Sequence, residues 1–476
     1  MTGQVKEKIR TRIAPAPTGP LHIGTARSAL FNYIFAQKNQ GEFILRIEDT
    51  DAERSDSVFE EDIKNALEWL GMGWDEFYRQ SDRLDIYEEH LKRLLERGNV
   101  FWCPHSEKDL VKERIHQMKK KEPPRHVCQF RDEHLDAQPE KGILRFKNEV
   151  ANDIVFNDLI RGEVRTKGEL LGDFSVAKDI RSPLYNFAVV VDDALMNISH
   201  VIRGEDLMPN TAKQILIQSA LGFARPAFAH LPLILAPDRS KLSKRHGATS
   251  VLEYKKMGYL AEAMVNFMIL LGWHPVGEEE IFTMKEMIEQ FSLKRVQKGG
   301  AVFNIEKLSW MNRQYIKKMS LEDLSEKLRP YVYRWSSAIE KEPEKWKKIV
   351  ELEKERLTTL KEIGEKALYF FEEPYYSREL LFWKQKQTPE NIVRHLESLA
   401  HILSEITEKE WGRNVIEKKV TSYADREGRG EVLWPLRVSL SGREASPGPF
   451  EIADILGKSE TISRVGKAIK LILQRC

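Results

Sequence analysis

A nine-residue loop near the N-terminus, Pro17–Thr25, carries the side chains best suited to phosphate chemistry. It joins a predicted strand to a predicted helix, and His22 stands just before the helix. A helix N-terminus presents unpaired N–H groups and a positive dipole end, and glycines let a nucleotide approach the backbone closely. His22 can donate to a phosphate oxygen and stabilise charge that develops there. Taken alone, the loop fits a phosphate site and a histidine-capped structural turn equally well.

A second loop, Lys241–Arg245 with the sequence KLSKR, follows a run predicted to be a strand over Leu231–Leu235. Lys241 and Lys244 stand three residues apart, and two mobile ammonium groups at that spacing can neutralise a polyphosphate. Basic surface loops are common. The motif gains weight from its place after a predicted parallel strand, where α/β folds bind ligands.

Two close Cys/His pairs form a third candidate site. Cys103-x-His105 and His126-x-Cys128 together supply four nitrogen and sulfur ligands, which suits a tetrahedral zinc ion. The gap within each pair is shorter than the CxxC spacing of typical zinc fingers. The alternative interpretation is two buried cysteines beside surface histidines.

Composition limits the class of protein. The 476 residues are 41% hydrophobic and 31% charged, which excludes a disordered or low-complexity chain. Three cysteines do not support a disulfide scaffold. Neither a secretory signal nor an apolar run of membrane-spanning length is evident, so we expect a cytoplasmic protein with no membrane partner. With 75 basic and 73 acidic residues the net charge is +2, so nucleic-acid binding would require segregated charge.

Such segregation occurs in the segment Lys294–Lys318. It holds seven lysine or arginine residues against one acid, Glu306, and includes Phe303, Trp310 and Tyr315. Cations that neutralise phosphates, beside rings that stack on bases, suit contact with RNA. The alternative is a solvated charged face above buried aromatic side chains.

The elements that must position the loops follow an α/β pattern. Ile9–Ala14 is a short strand candidate, residues 26–34 repeat apolar side chains at helical spacing, and Phe43–Ile47 is a second strand. This βαβ unit predicts a Rossmann-like parallel sheet that binds ligands at the carboxyl ends of its strands. Sheet-like runs at Ala188–Val191 and His200–Ile202 then precede a predicted helix over residues 211–221.

The two loops resemble the HIGH and KMSKS signatures of class I aminoacyl-tRNA synthetases, the first in the form His22–Thr25. Five further blocks resemble the bacterial glutamyl-tRNA synthetases within that class, so the similarity extends along nearly the whole chain. The blocks are Arg12–Gly19, Leu45–Asp51, Val201–Asp206, Gly299–Phe303 with Leu308–Asn312, and Leu436–Arg437 with Leu440–Gly442.

The resemblance implies glutamate–tRNA ligase activity with L-glutamate, ATP with Mg²⁺, and tRNA(Glu). Glutamyl-adenylate forms first, and a ribose hydroxyl of the tRNA 3′-terminal adenosine then takes the acyl group. The implied catalytic residues are His22, Lys241 and Lys244. The implied ATP-binding residues are Thr18, Gly19, His22, Gly24, Thr25, Asp206, Lys241, Ser243 and Lys244.

Glutamate carries one ammonium and two carboxylates, so its pocket needs a fixed anion and more than one cation. By resemblance Glu48 receives the α-ammonium, Arg12 and Arg203 bind carboxylates, and Tyr185 donates its hydroxyl. The planar guanidinium of arginine pairs bidentately with carboxylates, which agrees with these roles. Without the flanking blocks, structural ion pairs and a core tyrosine would be the simpler interpretation.

Other positions of the implied glutamate pocket depart from the family pattern. Ala14 and Ala16 complete the implied set, but Ala16, Val189 and Leu207 stand where polar or aromatic groups are common. The effect of these residues on glutamate affinity is therefore open.

The sequence also leaves open whether tRNA(Gln) is charged, because the arginine that rejects it in some members lies near Arg356–Leu360. Some members bind zinc near the Cys/His pairs through a different ligand pattern, and a monomer is expected.

The implied fold is a Rossmann-like α/β catalytic domain with an α+β insertion, followed by an all-α anticodon-binding region. The catalytic domain comprises residues 1–100 and 185–240, and the acceptor-end-binding insertion comprises residues 101–184. The KMSKS loop and stem-contact domain covers residues 241–320, and the helical region covers residues 321–476.

Four alternatives explain less of the chain. A paralogue that glutamylates a modified tRNA base would lack the helical C-terminal third, and a glutaminyl enzyme is expected to carry β-barrels there. Smaller nucleotidyltransferases leave the chain from Ala248 onward unexplained. A catalytically inactive RNA-binding paralogue would be expected to lose Lys241 and Lys244, which are both present.

Overall fold

The computed structural model describes residues 8–51, 53–133, 142–243, 245, 249–384 and 387–474. Contacts within the chain separate two compact units. One comprises the chain up to Lys255 together with Ala261–Leu308, and the other comprises Lys256–Leu260 and the chain from Ser309 onward. No helix in the described ranges combines the length and apolar character required to cross a bilayer.

The strands of the described chain all lie in the first unit. They are β1 (Arg10–Ile13), β2 (Glu42–Ile47), β3 (Glu76–Arg79), β4 (Val100–Cys103), β5 (Ile143–Phe146), β6 (Asp153–Asp158), β7 (Gly162–Lys167), β8 (Phe174–Asp179), β9 (Ser182–Pro183), β10 (His200–Gly204), β11 (Ala227–Leu231), β12 (Ile234–Leu235) and β13 (Ala301–Val302).

The helices are distributed over both units. The first ten are α1 (Ile23–Lys38), α2 (Ser57–Trp69), α3 (Leu84–Glu96), α4 (Glu107–Lys119), α5 (Tyr185–Leu195), α6 (Met208–Leu221), α7 (Val251–Lys256), α8 (Ala261–Leu270), α9 (Met284–Gln290) and α10 (Ile305–Lys318). The remainder are α11 (Leu321–Leu328), α12 (Ser336–Lys341), α13 (Pro343–Lys354), α14 (Ile363–Lys366), α15 (Leu368–Phe371), α16 (Pro389–Ser404), α17 (Arg413–Glu427), α18 (Arg429–Ser441), α19 (Pro449–Leu456) and α20 (Lys458–Leu473).

Parallel strands form the framework of the first unit, as predicted. Strand β2 lies between β1 and β3, and β10 pairs with β11, with all of these neighbours parallel. The backbone N–H of Ser199, just before β10, donates to the carbonyl of Arg10 in β1 (3.0 Å). Gly41 makes the return from α1 to β2 possible, because a Cβ there would lie only 2.2 Å from the carbonyl oxygen of Ile9.

Two predicted strands are wrong in whole or in part. Ala188–Val191 lies inside α5, where every residue from Phe187 to Asp193 is buried. Burial on all sides removes the periodicity that separates a helix from a strand, and a short apolar run then fits either. The run predicted as one strand over Leu231–Leu235 is divided, because β11 ends at Leu231 and β12 begins only at Ile234. Pro232, which has no N–H to donate, stands between them.

The second unit is built from helices throughout its described residues, which confirms the predicted all-α C-terminal region. Arg464 in α20 lies at its centre with only 4% of its surface exposed. Its guanidinium donates to the carbonyl oxygens of Tyr369 and Leu440, each at 2.7 Å. Leu440 lies near the end of α18 and Tyr369 lies in the single-turn helix α15, and carbonyls in both places lack intrahelical partners. Arg464 therefore ties three helices together.

Candidate active site

A cavity of about 620 Å³ opens at the carboxyl ends of β1, β2 and β10. The predicted site residues that line it are Arg12, Ala14, Ala16, His22, Gly24, Thr25, Glu48, Tyr185, Arg203, Asp206 and Lys241. Thr18, Gly19 and Ser243 do not line it, and Lys244 lies outside the described residues. Of the departures from the family pattern, Ala16 and Leu207 face the cavity and Val189 does not.

The turn at His22 forms the N-terminus of α1. His22 is the N-cap residue, and its Nδ1 accepts a hydrogen bond from the backbone N–H of Gly24 at 3.0 Å. Because Nδ1 acts as an acceptor, the imidazole proton resides on Nε2, the nitrogen suited to donate to a phosphate oxygen. A Cβ at Gly24 would approach Nδ1 to 3.3 Å, so glycine leaves the imidazole room. The turn is held by a 2.9 Å bond from the Ile23 N–H to the Thr249 carbonyl.

The second predicted phosphate loop reaches the same cavity through Lys241. Its backbone forms a bridge to Leu235 in β12, and its Nζ lies 2.9 Å from Oδ2 of Asp206, just after β10. Both side chains are exposed to solvent, so this ion pair contributes little to stability. Asp206 holds the lysine at the cavity without burying its charge.

A buried network of charges occupies the other end of the cavity. Arg12 donates from Nε and Nη2 to the two carboxylate oxygens of Asp193, at 3.1 and 3.3 Å. Arg46, which is fully buried, donates to the same carboxylate at 2.8 Å and to Oε1 of Glu48 at 3.2 Å. Nε of Arg46 also lies 3.6 Å from Asp192. Arg83 donates to Asp192 as well, at 2.7 Å, so three arginines serve three carboxylates in a largely buried network that borders the cavity through Arg12 and Glu48.

Burial and ion pairing act in opposite directions on these carboxylates. Burial raises the pKa of Glu48, and the positive charges of Arg46 and Arg12 oppose that rise only in part. For Asp193 burial also acts to raise the pKa, but the paired arginines Arg12 and Arg46 hold it below its ordinary value. Asp193 is therefore the fixed anion of the network, and Glu48 is the carboxylate that gains most from an incoming ammonium.

Arg203 differs from the other two arginines. It is 4% exposed, and it bonds to neutral groups: His230 Nε2 (3.2 Å), Tyr185 Oη (3.4 Å) and Thr211 Oγ1 (2.7 Å). No carboxylate of the described chain lies within ion-pair distance of it. Burial lowers the pKa of Arg203, and Tyr185 and the more distant charge of Asp193 oppose this only in part. The site thus presents a desolvated cation to the cavity.

Several residues of this site were not identified from the sequence. Arg46 and Asp193 complete the charge network, and Asp158, Thr211 and His230 form the surroundings of Arg203. Arg46 belongs to one of the quoted family blocks, which is the one signal that would have drawn attention to it. The others lie in helices and strands far apart in the chain, where residue spacing carries no information.

The four Cys and His side chains of the insertion do come together. Their ligand atoms all lie within 4.8 Å of one another, and both cysteines are free thiols. Sγ of Cys103 lies 3.4 Å from His105 Nδ1 and 3.4 Å from His126 Nε2, and Cys128 Sγ lies 3.5 Å from His105 Nδ1. A tetrahedral zinc ion would separate sulfur and nitrogen ligands by roughly 3.6 Å.

A further contact supports this metal-binding geometry. Nδ1 of His126 lies 2.6 Å from Oε2 of Glu113 in α4, while its Nε2 faces Cys103. Carboxylates bonded in this way to the second nitrogen of a histidine orient it and raise its basicity as a metal ligand. The donor set therefore fits zinc.

The predicted basic and aromatic segment is only partly available for RNA. Phe303 is 8% exposed and packs edge-on against Phe267 at a centroid distance of 5.1 Å, so it cannot stack on a base. Trp310 is 40% exposed. Of the two interpretations of this segment, RNA contact and a charged face above buried rings, the second therefore applies to Phe303.

Comparison with known protein families accounts for nearly the whole chain. Residues 8–310 match the model of the class I tRNA synthetases (E and Q), catalytic domain. Residues 323–469 match the model described as an anticodon binding domain.

Individual relatives agree with these family matches. The chain is 44% identical to a glutamate–tRNA ligase of Carboxydothermus hydrogenoformans, covering 96% of this chain and 99% of the relative. It is 42% identical to the glutamate–tRNA ligase of Desulforamulus reducens, and the match covers 97% of this chain and 100% of the relative. A crystal structure of a glutamate tRNA ligase from Elizabethkingia meningosepticum, in complex with its amino acid, superposes with a TM-score of 0.87 at 34% sequence identity. The superposition covers 98% of this chain and 100% of that chain.

Proposed function

The chain belongs to the glutamate–tRNA ligases, a family of class I aminoacyl-tRNA synthetases, and we propose that the cavity at the strand ends carries both the ATP and the glutamate chemistry. One observation supports this most directly. His22 and Lys241, one from each phosphate loop, line the same space as the residues suited to an amino acid with two carboxylates. The enzyme activates L-glutamate with ATP and transfers it to tRNA(Glu).

The amino-acid end supplies each charge that glutamate requires. Glu48 would accept the α-ammonium, which adds a cation to a carboxylate whose pKa burial raises despite the nearby Arg46 and Arg12. Arg203 would receive the side-chain carboxylate, because it is buried and bonded to neutral groups. Arg12 retains Nη1 for the α-carboxylate, since Asp193 occupies its Nε and Nη2. A carboxylate and two guanidinium groups at fixed positions would orient the ligand.

The phosphate end would carry the bond changes. ATP enters with its Mg²⁺, and an oxygen of the glutamate α-carboxylate attacks the α-phosphorus as the bond to the β-phosphate oxygen breaks. Pyrophosphate leaves with negative charge that His22, Lys241 and Lys244 would stabilise. The 3′-terminal ribose hydroxyl of tRNA then attacks the acyl carbon, and AMP leaves. No protein nucleophile takes part, so catalysis rests on positioning and charge.

We propose that Cys103, His105, His126 and Cys128 hold one structural zinc ion. The spacing of their ligand atoms and the Glu113–His126 contact support this assignment. When bound, zinc would fix the two segments that flank α4, 103–105 and 126–128, against each other, a role separate from the reaction.

Partners and assembly follow from the same features. Because one chain supplies every side chain of the cavity described above, we infer that the enzyme acts as a monomer in the cytoplasm, where it meets tRNA and ATP. Whether tRNA(Gln) is also a substrate turns on the region of Arg356, whose guanidinium lies 3.4 Å from the buried carboxylate of Glu353.

Aminoacylation with purified components tests the proposal. The chain should charge tRNA(Glu) with labelled glutamate and release AMP and pyrophosphate in equal amounts with the product. A parallel reaction with tRNA(Gln) decides the breadth of tRNA recognition, and light scattering during size-exclusion chromatography decides the assembly. Failure to charge tRNA(Glu) while ATP and glutamate are saturating would overturn the proposal.

A further inference from the structure

A line of buried polar side chains lies behind Arg203. It begins at Asp158, the last residue of β6, and continues through His230 in β11 to Arg203 in β10, where the two strands place Arg203 opposite His230. Oδ2 of Asp158 lies 2.7 Å from Nδ1 of His230, and Nε2 of His230 lies 3.2 Å from Nε of Arg203. Thr211 in α6 closes the group, with Oγ1 3.2 Å from the same Nε2. All four side chains are buried.

The hydrogen bonds determine which nitrogen of His230 carries the proton. Burial acts to raise the pKa of Asp158, but bonds from His230 and from the backbone N–H groups of Arg161 and Ile160 lower it. Asp158 is then an ionised acceptor, so Nδ1 must be the donor. Burial and the nearby Arg203 lower the pKa of His230, which keeps Nε2 unprotonated and able to accept the Nε–H of Arg203.

The orientation of Arg203 follows from these contacts. A guanidinium has five N–H groups. Those on Nε and Nη2 meet His230 and Thr211 along one edge, and one on Nη1 meets the hydroxyl of Tyr185. The centroid of the Phe228 ring lies 5.9 Å from Cζ of Arg203, so the ring packs against one face of the guanidinium. Two N–H groups remain, one on each terminal nitrogen, and these can meet the oxygens of a carboxylate.

We propose that His230, fixed by Asp158 as the Nδ1–H tautomer, is the positioning residue of Arg203 and thereby sets the preference for glutamate over glutamine. This inference rests on the proposed role of Arg203 as the partner of the side-chain carboxylate. His230 does not line the cavity and acts through the arginine. A misaligned guanidinium would still attract a carboxylate but would lose the paired hydrogen bonds that an amide cannot make.

Three substitutions at His230 distinguish its role in orienting Arg203 from the simple filling of space. In His230→Ala the KM for glutamate should rise roughly 10- to 100-fold, as expected for loss of a hydrogen bond to a charged group, with little change in kcat or in the KM for ATP. The ratio of kcat/KM for glutamate over glutamine should fall in parallel. His230→Gln places a neutral acceptor near the former Nε2 and should restore the glutamate KM. In His230→Asn the shorter side-chain amide reaches only the former Nδ1 position, so its KM for glutamate should be raised as in His230→Ala.

The matched control is His395→Ala in the second unit. His395 is equally buried and bonds to Tyr423 at 2.9 Å, so its loss should lower the melting temperature without altering the KM for glutamate. A wild-type KM in His230→Ala, or equal rescue by asparagine and glutamine, would overturn the proposal. If the His230→Ala variant fails to fold, comparing the glutamate KM of His230→Gln with that of His230→Asn still tests the proposal. Failure of the wild-type chain to charge tRNA(Glu) would instead overturn the proposed function.

Discussion

Arg12 and Asp193 are joined by two parallel hydrogen bonds between β1 and α5, although 181 residues separate them in the chain. Arg12 is therefore held by the protein before any ligand binds. Arg203, the other arginine assigned to glutamate, is held by neutral groups alone. The two cations are consequently expected to respond differently to substitution, with Arg12 supporting both stability and binding and Arg203 supporting binding.

Replacing Arg203 should damage catalysis more than folding. Its removal leaves no protein carboxylate unpaired, whereas a bound glutamate would have a buried carboxylate without its cation. Breaking such a pair costs about 3–5 kcal/mol, so Arg203→Ala should lower kcat/KM for glutamate by roughly 10²–10³ or more. Glutamine should lose far less. Aminoacylation kinetics with both amino acids measure this, and equal losses would identify Arg203 as a structural residue.

Replacing Arg46 should damage folding most. Arg46→Met leaves Asp193 and Glu48 short of a buried cation, which should lower the free energy of unfolding by about 3–5 kcal/mol at pH 7. Arg79→Met is the matched control, because its ion pair with Glu60 is partly exposed and should contribute about 1 kcal/mol or less. Urea unfolding of both variants makes the comparison, and similar losses would contradict a special role for Arg46.

The effect of Arg46→Met should also depend on pH in a defined direction. Arg12 and Arg46 hold the pKa of Asp193 below its ordinary value in the folded protein. That stabilisation is fully present above the unfolded pKa of about 3.9 and is lost as the pH falls through the folded value. The difference in unfolding free energy between wild type and variant should therefore narrow below about pH 4. A constant difference from pH 7 to pH 3 would show that the charge of Asp193 is not involved.

Purified protein should contain about one zinc ion per chain, and Cys103→Ser should release it. Glu113→Gln should weaken zinc binding by roughly 10- to 100-fold, because it alters the carboxylate that orients His126. His116→Ala, on the same helix but outside the cluster, is the control and should retain the metal. Mass spectrometry of the purified proteins measures the zinc content of the wild type and of each variant. Metal-free wild-type protein after purification without chelators would contradict the assignment.

Lys241→Ala should slow adenylate formation without weakening the fold. Loss of one donor to the charge on the leaving phosphates is expected to lower the rate roughly 10²–10³-fold. The exposed pair with Asp206 contributes little stability, so the melting temperature should stay near that of wild type. Single-turnover pyrophosphate release measures the rate. Lys92→Ala, which breaks the exposed pair with Glu88, is the control, and a normal rate in Lys241→Ala would remove the lysine from the mechanism.

The sequence was most informative where structure is local. The unit β1–α1–β2 was predicted correctly because prolines, a glycine and helical spacing mark its ends within 40 residues. The prediction failed at Ala188–Val191, where complete burial conceals the helical period. The contacts of Arg12 with Asp193 and of Arg203 with His230 join distant segments. Motifs therefore located the cavity, while the network that orients its charges became visible only in three dimensions.

The separation of the cavity residues along the chain has a consequence for protein synthesis. The phosphate turn at His22 and the lysine at 241 enter the nascent chain roughly 10–45 s apart at 5–20 residues per second. Until α5 has emerged, Arg12 and Arg46 lack the carboxylate of Asp193 that holds them. A ribosome that stalls before that point releases a fragment without an amino-acid pocket. A chain interrupted before Asp193 therefore lacks the carboxylate that orients both arginines at the amino-acid end of the cavity.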